Sequence, residues 1–385
     1  MIQSRHSTSF SSTSFSSTAF IAGASLLLTV IGLTSIIFAP DLGVVEMPRV
    51  AIAVSLMAIM GVRIMLGFQQ NRIGDVAIGI VTAISALLLI GVAHHHRGQA
   101  APGFWALVAA IWLSAWLLAS RLSAWRGLGK TAARVVNLAI PLVFGLTLLA
   151  LWELITVGAG VPQVLLPAPS AIGLRIAGSL PILWADFQQT FLKAVIFGYV
   201  AGCGSGFLVA LIADRVPFLK RGLLPIGNLV SALPIIGVAP IMVMWFGFDW
   251  PSKAAVVIIM TFFPMLVNTV AGLAAADAMQ KDLMRTYAAS HGQTLVKLRL
   301  PMALPFIFNA LKINSTLALI GAIVAEFFGT PIVGMGFRIS TEVGRMNLDM
   351  VWAEIAVAAL AGSLFYAGVS AVERWATFWH PSQRG

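Results

Sequence analysis

The chain has 385 residues, of which 59% are hydrophobic and only 10% charged, with a formal net charge of +10. Soluble domains carry about a quarter charged residues, so this composition excludes a water-soluble globular protein and makes lipid the better solvent for most of the surface. The basic residues sit in short connections between apolar runs, a topology signal in membrane loops rather than the footprint of a nucleic-acid binder.

A helix needs about 20 mostly apolar residues to cross the hydrocarbon, and on that rule the sequence predicts an all-α polytopic membrane protein of about ten spans. The N-terminus, MIQSRHSTSFSSTSFSSTAF, is Ser/Thr-rich and leads into an uncleaved first span at 19–39. That run is too long for the apolar region of a signal peptide, and the proline of IFAPD falls where cleavage would occur. Spans at 48–68, 74–93 and 102–120 complete an accessory unit over residues 1–120. A basic linker, RLSAWRGLGKTAAR (121–134), separates it from the remainder, 135–385. There the spans fall at 135–158, 188–213, 223–246, 252–274, 305–327 and 351–372. The run at 223–246 holds Pro225, Pro234 and Pro240 and is therefore expected to kink or break.

Lys and Arg set the orientation. The clusters Arg121–Arg126–Lys130–Arg134, Arg215–Lys220–Arg221 and Lys281–Arg285–Lys297–Arg299 all fall on one side of the ten-span scheme. That side is the cytoplasm, and both termini lie there. The connection at 94–97 and the segments 159–187 and 328–350 are then external.

Several patterns carry no chemistry. GLGKT at 127–131 resembles the end of a phosphate-binding loop, but Ala124 stands where the first glycine belongs and no strand precedes it. The three adjacent histidines His94, His95 and His96 cannot easily converge on one metal ion. Cys203, the single cysteine, has no partner for a disulfide or a metal site. Arg63, Glu153, Lys193, Lys312, Glu326 and Glu354 fall in or near spans, mostly close to the ends, where long side chains snorkel to the interface. No catalytic residue, metal ligand or cofactor site is read from the chain.

One segment stands out between two lipid-compatible runs: KDLMRTYAASHGQTLVKLRLP, 281–301. It resembles the signature of the permease subunits of bacterial ATP-binding-cassette importers, E-A-A-x3-G-x9-I-x-L-P. Asp282 takes the Glu position, Leu283 and Met284 the alanines, Ala288 the Gly, Leu298 the Ile, and Leu300 and Pro301 the closing pair. A second register, with Gly292 as the Gly and Leu304–Pro305 as the end, puts Thr286 at the acidic position. VPQVLLPAPSAI (161–172) is similar to the external LPSPS segment of the nitrate/sulfonate/taurine and pyrimidine-precursor family. LPIIGVAPIMVMWFGF (233–248), FFPMLVNTVAGL (262–273) and VAEFFGTPIVGMGF (324–337) are similar to its later stretches. The resemblance covers roughly 135–372; the first 120 or so residues lie outside it.

This resemblance implies a transport subunit in the bacterial inner membrane that does no covalent chemistry itself. Its partners would be two copies of a cytoplasmic ATPase, which carry the ATP and Mg, a second permease subunit in a homodimer, and a periplasmic or lipid-anchored substrate-binding protein. The 281–301 segment would be the coupling helix, with Asp282, Leu283, Met284, Arg285, Tyr287, Ala288, Leu298, Leu300 and Pro301 as the residues that meet the ATPase. Two short helices would meet at a tight turn at Ala288, and Pro301 would end the second. Leu283, Tyr287, Leu295 and Leu298 supply an apolar face; Lys281, Arg285, Lys297 and Arg299 stay wet. Asn268, Asn309 and Asn314 are polar groups within spans that line a path or bond between helices. TYAAS leans the substrate towards a pyrimidine thiamine precursor or related heterocycle, with nitrate, sulfonate and taurine as the others. An ion-coupled secondary transporter would work without ATPase partners and show an internal repeat, and a membrane-embedded enzyme or a membrane scaffold without transport activity would carry a polar cluster at one interface.

Overall fold

A computed structural model of the chain describes residues 20–31, 47–65, 72–231, 234–329 and 332–379. The ends expected for the first two spans, near 39 and 68, residues 232–233 of the span at 223–246, and residues 330–331 lie outside the described residues. Every described regular element is a helix. In hydrocarbon no water pairs with backbone N–H and C=O groups, so an apolar run must satisfy them within its own helix.

In chain order the helices are α1 (Phe20–Ile31), α2 (Met47–Met65), α3 (Arg72–His95), α4 (Pro102–Ser123), α5 (Lys130–Gly158), α6 (Pro169–Gly178) and α7 (Leu180–Arg215). They continue with α8 (Pro217–Ser231), α9 (Ile235–Phe246), α10 (Trp250–Ala274), α11 (Ala278–Thr286), α12 (His291–Glu326), α13 (Met335–Gly344) and α14 (Leu348–Ala376). Among the described residues seven helices (α3, α4, α5, α7, α10, α12 and α14) are long and apolar enough to cross a membrane, and three shorter apolar stretches lie in α1, α2 and α9. The proline-rich run at 223–246 is broken, as expected, into α8 and α9, with Pro234 capping α9.

Internal packing divides the chain into two compact units, Met1–Ala171 and Ile172–Gly385. The sequence division falls at 121–134, before α5; in the structure α5 packs on α3 and α4 and shares their core. That core is Leu89, Val92, Phe104, Leu107 and Ile111, with Leu154 and Val157 of α5. Small polar residues join helices here. Ser25 Oγ donates to Ala110 O at 3.2 Å and lies 2.9 Å from Ser114 Oγ. At one end Asp75 accepts from Arg121 Nη1 (3.2 Å) and Trp125 Nε1 (2.7 Å), fixing the start of α3 to the end of α4.

In the second unit α10 packs between α7 and α12. The approach of α7 to α10 is set by Gly198, Gly202 and Gly206, spaced four apart on one face. A Cβ on Gly202 would lie 2.1 Å from Thr261 Oγ1, and one on Gly206 would lie 2.5 Å from Phe262 O. Small residues at this spacing let helix backbones meet in lipid, where no hydrophobic drive pushes them together. The core they frame includes Val195, Tyr199, Cys203, Val257, Met265 and Ala310.

Two helices begin well before their expected starts. α7 begins eight residues before the expected 188 and takes a π-helical course at Gln188–Val195. α12 begins at His291 rather than near 305. Each extension carries a charge that a hydropathy reading treats as loop and that is paired, Asp186 in α7 and Arg299 in α12, as described next.

Candidate functional site

The signature segment folds into two capped helical pieces. In α11 the Asp277 N–H donates to Gln280 Oε1 at 3.2 Å; in the next piece Ser290 N donates to Gln293 Oε1 (2.9 Å) and Gln293 N to Ser290 Oγ (3.2 Å). These are reciprocal caps that satisfy the orphan N–H groups of a helix start. Between them α11 stops in a Schellman turn: Ala288 N donates to Arg285 O (2.9 Å) and Ala289 N to Met284 O (3.0 Å). Ala288 occupies the left-handed position of this turn, at φ +51°. It is exposed, so what the position favours is a residue without a Cβ, set by backbone conformation and not by close packing of two helices.

α11 holds its apolar side chains in the open. Met279 is 78%, Leu283 57% and Tyr287 78% exposed, while Met284 is half-buried. Asp282 and Arg285 pair along the helix at 3.3 Å, both largely exposed. The second piece behaves differently. Leu295 and Leu300 pack on the core of the unit, and Leu298 and Pro301 are half-buried.

Two expectations are corrected here. Pro301 ends no helix: the chain runs without a break from His291 to Glu326. Residues Leu295–Arg299 form a π-helical turn, in which Leu300 N donates to Leu295 O. A proline in a regular helix clashes with the carbonyl four residues back, and widening the turn just before it relieves that clash. Nor does Arg299 stay wet. Its guanidinium forms a two-pronged pair with Asp214 at the end of α7 (2.6 and 2.7 Å), and Nε donates to Leu273 O at 3.0 Å. Arg299 thus ties the root of the segment to the ends of α7 and α10.

The opposite end of the second unit is a buried polar network. Asp186 of α7, fully buried, accepts from Gly334 N (2.6 Å) and from Arg338 Nε of α13 (2.8 Å). Thr190 Oγ1 donates to Glu326 Oε1 (2.8 Å) and accepts from Met335 N (2.8 Å); Glu326 Oε2 accepts from Gly336 N (2.7 Å). Burial lowers the Arg338 pKa, but the bond to Asp186 and its charge outweigh this and hold it above the usual arginine value. Beside the network Lys253 Nζ, buried, donates to the carbonyls of Phe248 and Gly329. Asp249 caps α10: the Trp250 N–H draws its pKa below the ordinary aspartate value against the cost of desolvation, and the Gln189 amide and the Lys193 and Lys253 charges add to this.

Snorkelling therefore does not describe the acidic residues of the spans. Glu326 and Glu354 are 2% and 0% exposed in this end of the unit, and Glu153 is 5% exposed in the first unit. Lys312 pairs with Glu373 at 2.8 Å. The side chain of Arg63 lies outside the described residues. The three asparagines are not brought together. Asn314, buried, donates to Thr261 O (2.8 Å) and Cys203 Sγ (3.2 Å), joining α12 to α10 and α7. Asn268 donates to Pro264 O within α10, and Asn309 is exposed on α12.

Sequence reasoning missed Asp214, Asp186, Thr190 and Arg338, which lie far in sequence from their partners. The caps were legible as D-x-x-Q at 277–280 and S-x-x-Q at 290–293, and the α7–α10 contact as the glycines at 198, 202 and 206.

The architecture is that of a polytopic helical membrane protein with a capped, projecting segment at one end of its second unit. A family model described as "binding-protein-dependent transport system inner membrane component" matches residues 194–378. The formylaminopyrimidine transport permease protein ThiX of Halalkalibacterium halodurans is 30% identical over 243 residues, 63% of this chain and 96% of its own length. The riboflavin transport system permease protein RibX of Chloroflexus aurantiacus is 28% identical over 247 residues, 64% of this chain and 91% of its own. A putative aliphatic sulfonates transport permease protein, SsuC of Bacillus subtilis, is 28% identical over 243 residues, 62% and 86% of the two chains. The chain belongs to the family of binding-protein-dependent inner-membrane permeases, the membrane components of ATP-binding-cassette importers.

Proposed function

We propose that the chain forms a homodimer that works with two cytoplasmic ATPases, and that α11 with the turn at Ala288 is the part that docks on the ATPase. The observation that carries this reading is the exposure of Leu283, Tyr287 and Met279 on a helix capped at both ends. Apolar side chains held in water on a preorganised helix suit a groove on a partner. ATP and Mg belong to that partner. Asp282, paired to Arg285 and exposed, adds a charge at the rim of the contact. The roots of the segment, Leu298, Leu300 and Pro301, carry its movement into α12. On this reading the signature end and both termini are cytoplasmic, residues 1–120 are accessory to a permease core at 135–385, and α13 lies outside.

The substrate we favour is an uncharged nitrogen heterocycle, of the kind that names the formylaminopyrimidine and riboflavin relatives. Supporting it, a cavity of about 280 Å³ between α8, α9, α10 and α12 is lined by apolar side chains, among them Val230, Ile235, Met260 and Leu317. A sulfonate in such surroundings would have its charge desolvated without a compensating donor. Asn309, exposed on α12, is the candidate among the three asparagines for the path.

The test pairs Leu283→Asp with Tyr287→Asp in the full chain. The double variant should insert and melt as the wild type does, since both side chains are exposed, yet lose co-purification of the ATPase and substrate-stimulated ATP hydrolysis in vesicles. Wild-type coupling in the double variant would remove α11 as the docking element.

A further inference from the structure

The turn between α3 and α4 is clasped to the segment that follows α5, and every contact of the clasp lies within the first unit. Glu153, one turn before the end of α5 and 5% exposed, is its centre. Its Oε1 accepts from His94 Nε2 at 2.7 Å and from Ser170 Oγ at 2.6 Å, and its Oε2 accepts from Ser170 N at 2.8 Å. Around it the backbones are joined directly. Gly98 N donates to Val157 O (3.0 Å), Ala100 N to Gly158 O (3.4 Å), and Arg97 Nη2 to Val161 O (3.1 Å). Gly98 and Gly160 pass so close that a Cβ on Gly160 would lie 2.6 Å from Gly98 Cα, and both have positive φ. Gly158 leaves space that Phe104 fills, since a Cβ there would lie 2.5 Å from its ring.

Between these ties the chain makes an exposed turn, Pro162 to Leu165, and then returns to the core at Ala168. The turn is short, apolar at its tip, and held at both bases. Its lower base is the Gly98–Gly160 crossing; its upper base is Ser170 on Glu153. A buried carboxylate with three donors on two different segments fixes both, because a displaced partner would leave it desolvated and unpaired.

We propose that Glu153 and His94 are positioning residues that hold the 159–170 segment in place, and that the N-terminal helices serve the importer as a brace for this segment. The segment is external on the orientation proposed above, and on that reading the brace presents its tip, Val164 and Leu165, to the substrate-binding protein. The structural half of the inference does not depend on that reading; the functional half does.

The experiment uses the full-length chain in lipid nanodiscs with its ATPase. Cys203 is buried and is the only cysteine, so Leu165→Cys, at a 71% exposed position, accepts a single spin label. The label should be ordered in the parent chain. It should become mobile with His94→Leu and with Glu153→Ala, and be ordered again with His94→Gln, whose amide donates to the same carboxylate. Should Glu153→Ala fail to fold, the two His94 variants, at a half-exposed helix end, still decide the question. An equally ordered label in His94→Leu overturns the clasp. In the second arm, ATP hydrolysis by the unlabelled complex is titrated with its substrate-loaded binding protein. His94→Leu should raise the half-saturating concentration roughly tenfold, as loss of one bond to a buried carboxylate implies, and leave the maximal rate unchanged; His94→Gln should restore it. A mobile label with unchanged half-saturation overturns the brace as a positioning device. Absence of any stimulation in the parent chain would instead count against the proposed function, not against the clasp.

Discussion

The two ends of the second unit are built on opposite plans. At one end the buried Asp186, Thr190 and Glu326 pin the N-terminus of α13 by three backbone N–H groups, and Asp186 holds the half-buried Arg338 beside them. At the other, α11 stands on capping interactions local to itself, with Arg299–Asp214 as the buried ion pair at its root. Long-range bonds fix the first end against its own unit. Local bonds preserve the shape of the second while leaving its apolar side chains uncovered. The contrast separates a region held by bonds across its own unit from one that is ordered locally and keeps its apolar side chains exposed.

The largest effect is expected where that internal order is cut. Asp186→Ala leaves the buried Gly334 N–H without its acceptor and takes the carboxylate from the half-buried Arg338, and should cost about 3 kcal/mol, read as a marked fall in the thermal midpoint of the purified protein. A midpoint within a degree of wild type would erase the contrast between the ends. Next comes the root of α12. Arg299→Lys keeps the charge but loses the fork that matches Asp214 and the bond to Leu273 O, a loss of about 2 kcal/mol. Faster amide exchange at 291–299, with α13 unchanged, would sharpen the division. Smaller again is Ala288→Gly, which removes the strain of an L-residue at φ +51° and should slow exchange across 278–290, for a gain of roughly 0.5–1 kcal/mol. Ala288→Glu should cost little in stability, because the position is exposed.

The smallest effect concerns acid. Asp249 has its pKa lowered in the folded chain, first by the Trp250 N–H. It therefore contributes stability above the ordinary aspartate range, and that contribution is lost as pH falls through the lowered value. Asp249→Asn should lower the neutral side of the thermal midpoint curve, flatten its fall towards acid and leave the acid extreme in place. An unaltered acid limb would show that the carboxylate carries no such linkage.

The helical class and most spans could be read directly, because an apolar run of about 20 residues has few alternatives. The signature segment was also legible, through Asp282, Ala288, Leu300 and Pro301. What hydropathy hides is charge that has a distant partner. Arg299 looks solvated in a basic loop until Asp214, 85 residues away, is found against it. Asp186 looks like a loop residue before a span until Arg338 meets it, which is why α7 starts earlier than expected. The rule that proline ends a helix failed at Pro301 because a local change of helical pitch made room for its ring.

The unbroken course of α12 has a mechanical consequence. At about 1.5 Å per residue, a helix of 36 residues is a rod of roughly 54 Å. Its foot carries the π turn and Arg299, and its far tip carries Glu326, bonded to Thr190 and Gly336 N. A tilt of about 5° pivoting at the foot would sweep the tip through roughly 5 Å at that length, more than the reach of any hydrogen bond. On the proposed role of α11, a displacement too small to register there as a rearrangement would be geared up, along a single helix, to a stroke wide enough to unseat α13.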